Sequence, residues 1–120
     1  MKTILVVDDD FAIAELLEAV LKGEGYEVVT ANNGQEALAC LGITRPDVVL
    51  CDVMMPVLDG RELCRRMQTM PAYRAIPIVL MSAASTIFHD DDCDFAALLA
   101  KPFDLDVVLN TVTQVISKNG

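Results

Sequence analysis

Val48-Val49-Leu50-Cys51 runs straight into Asp52, and a proline-bearing loop, Val53-Met54-Met55-Pro56, follows at once. A continuous apolar run of that length suits a strand buried on both faces, as in a parallel sheet. Asp52 then stands where the strand ends and the chain emerges toward water. A carboxylate in that place either caps the next turn or is a reactive group displayed on the rim of the sheet.

The rest of the chain repeats the pattern. Ile4 to Val7 is a β-rich apolar run ending in Asp8-Asp9-Asp10. Phe11 to Lys22 places Ile13, Leu16, Leu17, Val20 and Leu21 at helical spacing, and Gly23-Glu24-Gly25 ends that helix. Glu27 to Ala31 reads as a second strand. Asn33, with Glu36 three residues on, resembles a capping box for a short helix whose apolar side is Ala37, Leu38 and Leu41. Thr44-Arg45-Pro46 breaks the chain before the third strand. Asp59-Gly60 starts a helix carrying Leu63, Cys64 and Met67 on one side, and Pro71 to Pro77 is a loop. Ile78 to Met81 is a fourth strand ending at Ser82, and Ala83 to Asp94 is the least regular stretch. Ala96 to Ala100 reads as the fifth strand, before Lys101-Pro102-Phe103. A last helix from about Asp104 buries Val108, Leu109, Val112, Val115 and Ile116. This alternation of strand and helix points to an α/β fold with a parallel sheet covered on both faces.

At 120 residues the chain is long enough for one core, so residues 1–120 are expected to form one domain. No apolar run approaches the roughly 20 residues of a membrane helix, so no membrane insertion is expected. The apolar stretch near Met1 ends in three aspartates rather than a cleavage site, which makes it a strand and not a signal peptide. A formal net charge of −9, from 18 acidic and 9 basic residues, disfavours direct binding of nucleic acid or an anionic membrane. Cys40, Cys51, Cys64 and Cys93 lack C-x-x-C spacing, and the chain holds a single histidine, so a zinc site is not expected. Free, mostly buried thiols in a reducing, cytoplasmic setting are the plain expectation.

In a doubly wound parallel sheet, ligands bind beyond the carboxyl ends of the strands. Those ends deliver Asp8 and Asp9 from the first strand, Asp52 from the third, Ser82 from the fourth and Lys101 from the fifth. Any one of them alone is most simply a cap or a solvated loop residue, which is how Asp10 and Asp90 to Asp92 are read. Together, three carboxylates, a hydroxyl and an ammonium on four separate ends form a complementary set. Clustered carboxylates repel, and a hard divalent cation such as Mg²⁺ removes that penalty. With Lys101 it would present positive charge beside Asp52, suited to binding a phosphoryl group and shielding its charge during in-line transfer. Asp52 would then be the nucleophile.

These motifs resemble the receiver domain of two-component response regulators, of the chemotaxis-regulator kind, over essentially the whole chain. The residues that carry the likeness are Val6-Val7-Asp8-Asp9, Asp52 with Met55-Pro56 and Asp59-Gly60, Met81-Ser82-Ala83, and Lys101-Pro102-Phe103. The resemblance implies a flavodoxin-like fold with strand order 2-1-3-4-5 and helices on both faces. It implies an aspartyl phosphate at Asp52, formed from a phosphohistidine on a histidine kinase or histidine phosphotransfer protein. It further implies Mg²⁺, or another divalent cation such as Mn²⁺, held by Asp9, Asp52 and the Met54 backbone carbonyl, with Asp8 assisting through water. Ser82 and Lys101 would contact the phosphoryl oxygens, and the Lys101-Pro102 bond is expected to be cis. Such a module promotes its own phosphorylation and dephosphorylation, is not otherwise an enzyme, and alters binding to a downstream protein.

The chain departs from the family in two places. Leu98 stands where receivers usually carry Tyr or Phe, three residues before the Lys-Pro pair, and the stretch from Ser82 to Lys101 is shorter and lacks the usual Gly-Ala pair. The phosphorylation chemistry is therefore expected to be intact while the helix between the fourth and fifth strands is short, irregular or mobile. Met54 and Ala84, two residues beyond Asp52 and Ser82, offer no polar side chain to an attacking water, which predicts slow self-dephosphorylation. A haloacid-dehalogenase-type phosphatase would carry an acid at the place of Met54, and a flavin-binding domain would carry a phosphate loop after the first strand. A degenerate receiver, acting as an unphosphorylated interaction module, is the remaining alternative. Without a recognisable linker, a stand-alone regulator or phosphorelay intermediate is expected.

Overall fold

The computed structural model of the chain describes residues 1–83 and 93–119. Among these the elements run β1 (Thr3–Val7), α1 (Phe11–Gly23), β2 (Glu27–Ala31), α2 (Gly34–Leu41), β3 (Val48–Asp52), α3 (Gly60–Gln68), β4 (Ile78–Ala83), β5 (Ala97–Lys101) and α4 (Leu105–Asn119). The five strands are parallel, in the order β2-β1-β3-β4-β5. The doubly wound, flavodoxin-like architecture expected from the sequence is thus the one observed.

Alternation along each strand sends successive side chains to opposite faces, and each face has its own helical cover. Ile4, Val6, Val48, Leu50, Val79 and Met81 pack beneath Ala14, Leu17 and Leu21 of α1 and Val108, Val112 and Val115 of α4. Leu5, Val7, Val49, Cys51, Ile78 and Leu80 pack on Ala37 and Leu41 of α2 and Leu63, Cys64 and Met67 of α3. Every residue of the central strand β3 is buried, Asp52 included.

The helix starts follow from local chemistry. Asp10 caps α1, accepting from the N–H groups of Ala12 (3.0 Å) and Ile13 (3.3 Å), so its reading as a cap holds. Asn33 caps α2 by accepting from the Glu36 N–H at 2.9 Å. The return contact differs from a strict capping box: the Glu36 carboxylate accepts from the Asn32 N–H, at 3.2 Å. After α1 the chain turns through Gly25 at φ +93°, a conformation glycine adopts at little steric cost.

Three strand ends and one side chain differ from the sequence reading. β3, β4 and β5 run one or two residues further than their apolar stretches, because Asp52 pairs with Met81 and Ala83 with Lys101. Asp52, Ser82 and Lys101 therefore belong to hydrogen-bonded strands rather than to loops. Leu16, grouped with the apolar set of α1, is 47% exposed, since the buried stripe is set by Ala14, Leu17 and Leu21. None of the four cysteines is in a disulfide, and no helix among the described residues is long and apolar enough to cross a membrane. The expectation of a short or irregular helix between β4 and β5 concerns residues 84–92 and lies outside the described residues.

Candidate functional site

Parallel strands carry their carboxyl ends to one rim, and the site is built there. β1 delivers Asp8 and Asp9, β3 ends on Asp52, β4 carries Ser82 and β5 ends on Lys101. Asp8, Asp9 and Asp52 each offer a carboxylate oxygen within 4.8 Å of the others, the arrangement a metal ion would need. Lys101 Nζ donates to Asp8 Oδ2 at 2.9 Å and lies 3.4 Å from Asp52 Oδ2. The other Asp8 oxygen accepts from the Asp10 N–H at 2.9 Å. Asp8, Asp52 and Ser82 are buried and Asp9 is exposed, so the cluster opens to solvent on the Asp9 side.

Ser82 stands one residue beyond Met81, the β4 partner of Asp52, and its hydroxyl donates to the Ala83 carbonyl at 3.2 Å. Met54 is 59% exposed in the loop after β3. Lys101-Pro102 is cis, as expected. Leu98 is 44% exposed on the edge strand β5.

Burial, followed by the charge of Asp8, pushes the Asp52 carboxyl above its ordinary range, against the pull of Lys101. The Lys101 ammonium loses hydration on burial, yet Asp8, and after it Asp52, hold its pKa above the usual lysine value. One ammonium is thus shared by acids that it does not balance. This is an environment that accepts a further hard cation, and carboxylate oxygens are the type of donor Mg²⁺ takes.

The sign of the Asp52 shift gives a testable consequence. A carboxyl whose folded pKa is raised contributes stability below its unfolded pKa and loses it as pH rises through the folded value. Ionised Asp52 therefore opposes folding at neutral pH. Asp52→Asn should stabilise the metal-free protein by about 1 kcal/mol or more at an effective dielectric near 20. Thermal unfolding in chelator checks this; an unchanged or lower Tm would mean the carboxylates do not repel one another as their spacing implies.

The sequence reading did not find an apolar groove of about 440 Å³ that reaches Lys101 and is lined by Ile13, Leu16, Ala83, Lys101, Pro102 and Phe103. Its one signal was Leu16, which lies off the buried stripe of α1. Gly60, read from the sequence as the start of a helix, has a further part here: its N–H bonds the Val53 carbonyl at 3.0 Å and closes the loop behind Asp52.

Residues 4–113 match the family model of the response regulator receiver domain. The chain belongs to that family, the signalling module of two-component systems rather than a turnover enzyme. Among its relatives are the response regulator PleD of Caulobacter vibrioides, 51% identical over 80 residues that make up 67% of this chain and 18% of PleD. The response regulator MprA of Mycobacterium sp. (strain KMS) is 40% identical over 120 residues, 98% of this chain and 51% of MprA. The chain therefore spans about half or less of the length of these relatives. Among solved structures, a response regulator from Chloroflexus aurantiacus J-10-fl superposes with a TM-score of 0.90 at 37% identity, covering 97% of this chain and 98% of that one. The receiver domain of the sensor histidine kinase PA1611 of Pseudomonas aeruginosa PAO1, with magnesium coordinated in its active-site cleft, gives 0.87 at 28% identity over 97% and 98% of the two chains.

Proposed function

We propose that this receiver accepts a phosphoryl group on Asp52 from a phosphohistidine donor, and that the modified domain changes its binding to a downstream protein. The observation that carries the reading is the Lys101 ammonium poised between Asp8 and Asp52 on a rim where three carboxylates converge.

Asp8, Asp9, Asp52 and the Met54 carbonyl would hold Mg²⁺ or Mn²⁺; when bound, the cation shields charge on the phosphoryl oxygens and on the acids. The receiver of PA1611, which holds magnesium in its cleft, supports that assignment. The remaining work falls to side chains of this chain. An Asp52 oxygen attacks phosphorus in line; the new O–P bond forms as the N–P bond breaks, and its electron pair returns to the donor imidazole. Lys101 turns from the carboxylates toward the phosphoryl oxygens, and the Ser82 hydroxyl exchanges the Ala83 carbonyl for one of them. The donor protein must cover the rim to present its imidazole. The groove at Ile13, Leu16 and Phe103, beside Lys101, gives it apolar surface to rest on.

Incubation with acetyl phosphate and Mg²⁺ tests the reading by intact mass. One phosphoryl increment that requires the metal is expected, and Asp52→Asn should abolish it. Leu98, exposed in place of an aromatic, favours a second reading, an unphosphorylated interaction module; complete absence of labelling would select it. The exposed Met54 offers no polar group to an attacking water, so the phosphorylated protein should persist for minutes or longer in Mg²⁺. Decay within seconds, followed by the same mass assay, would contradict that. The companion expectation at Ala84 lies outside the described residues.

A further inference from the structure

The loop that leads from Asp52 to α3 is held at a second point, on α2. Leu58 is buried, and its carbonyl accepts the Gly34 N–H at 3.1 Å. Gly34 opens α2 directly after the Asn33 cap. A Cβ at Gly34 would stand 2.6 Å from the Leu58 carbonyl oxygen and 2.9 Å from both Cβ and Cδ2 of Leu58. The nearest obstruction is backbone, so no side-chain rotation relieves it.

Between Asp52 and that anchor the backbone is strained. Val57 lies at φ +70°, which is unusual for a β-branched residue. The Leu58 N–H bonds the Pro56 carbonyl at 2.7 Å, closing a three-residue turn around Val57. Such strain persists only where the surroundings over-determine it. Two contacts do so: Gly60 with Val53 at the α3 end, and Gly34 with Leu58 on α2. Met54 and Val57, between those anchors, are exposed. Met54 thus lies on a segment held at Val53, which bonds Met81 and Gly60, and at Leu58, which bonds Gly34 of α2.

We infer that Gly34 is a positioning residue for the cation site: its missing side chain lets the loop seat on α2 and sets the Met54 carbonyl against the Asp9 and Asp52 carboxylates. The inference rests on the cation site proposed above. It also makes α2, which contributes no group to the rim, a determinant of metal affinity.

Titration with Mn²⁺, followed by electron paramagnetic resonance well below Tm, tests it in three proteins. Wild type should bind, and Gly34→Ala should bind roughly tenfold or more weakly, the order seen when supports of metal ligands are altered. Leu41→Ala, which hollows the core under the far end of α2, should lower Tm and leave the Mn²⁺ affinity unchanged. Equal affinity of wild type and Gly34→Ala would overturn the inference. So would an equal loss in Leu41→Ala, which would assign the effect to general destabilisation. Absence of binding by wild type would overturn the cation site itself. If Gly34→Ala fails to fold, Leu58→Ala, which removes the seated side chain, carries the same expectation, and an unchanged affinity there overturns it.

Discussion

Replacing Lys101 with methionine should cost the metal-free protein about 3 kcal/mol at neutral pH, the order expected when one partner of a buried ion pair is removed. Asp8 is completely buried. Its two oxygens are satisfied by Lys101 and by the Asp10 N–H, each at 2.9 Å. Without the ammonium, a desolvated carboxylate faces Asp9 and Asp52 within 4.8 Å, and a methionine of similar length supplies packing but no charge. Despite the burial that lowers it, the Lys101 pKa is raised by Asp8 and Asp52. Its stabilising contribution is therefore present below the unfolded lysine value and lost as pH rises through the higher folded value, so the ammonium carries its charge at neutral pH. Urea unfolding in chelator measures the cost, and a double-mutant cycle assigns it. In an Asp8→Asn background the penalty for Lys101→Met should fall by more than half. The same penalty in both backgrounds would show that the ion pair is not its source.

Gly60→Ala is the second large effect, and it acts through geometry rather than charge. The added methyl would collide with the Asp52 carbonyl oxygen and approach both the Asp52 carbonyl carbon and Val53 Cα to 3.1 Å. All three are backbone atoms, so relief requires moving the end of β3 or the start of α3. Overpacking of this kind costs about 3 kcal/mol. The consequence for function is larger, because displacement of a reacting group by about 1 Å can cost roughly a hundredfold in rate. Thermal unfolding, together with the rate of labelling by acetyl phosphate, reads both effects. Gly23→Ala is the control: a Cβ there meets nothing within 4 Å, and neither stability nor labelling should fall. Labelling of Gly60→Ala at the wild-type rate would mean that Asp52 tolerates a shift of its own backbone.

The contrast between these glycines marks what a sequence can disclose. The strands were legible because their apolar runs are local, and the caps Asp10, Asn33 and Asp59 were legible because each bonds N–H groups two or three residues away. Asp8, Asp9, Asp52, Ser82 and Lys101 were legible as a set once parallel strands were expected, since that topology brings carboxyl ends to one rim. The contact of Gly34 with Leu58 has no such signature. It joins positions 24 residues apart (58 − 34) and depends on how α2 seats against the loop, a tertiary relation that no periodicity encodes. The strand ends were set too short for the same reason. Asp52, Ser82 and Lys101 are polar, and only pairing with neighbouring strands keeps them in the sheet. Leu16 carried the apolar signal of a core residue, yet its angle on α1 turns it to the groove.

The most direct measurement of the central claim is reductive trapping after brief treatment with acetyl phosphate and Mg²⁺. Borohydride converts an aspartyl phosphate to homoserine, and peptide sequencing by mass spectrometry then reads the position. The account predicts homoserine at position 52 and at no other aspartate, with none formed when the divalent cation is chelated. Homoserine at position 8 or 9, or its absence under conditions in which the folded protein binds Mg²⁺, would contradict the assignment of Asp52 as the phosphoryl acceptor.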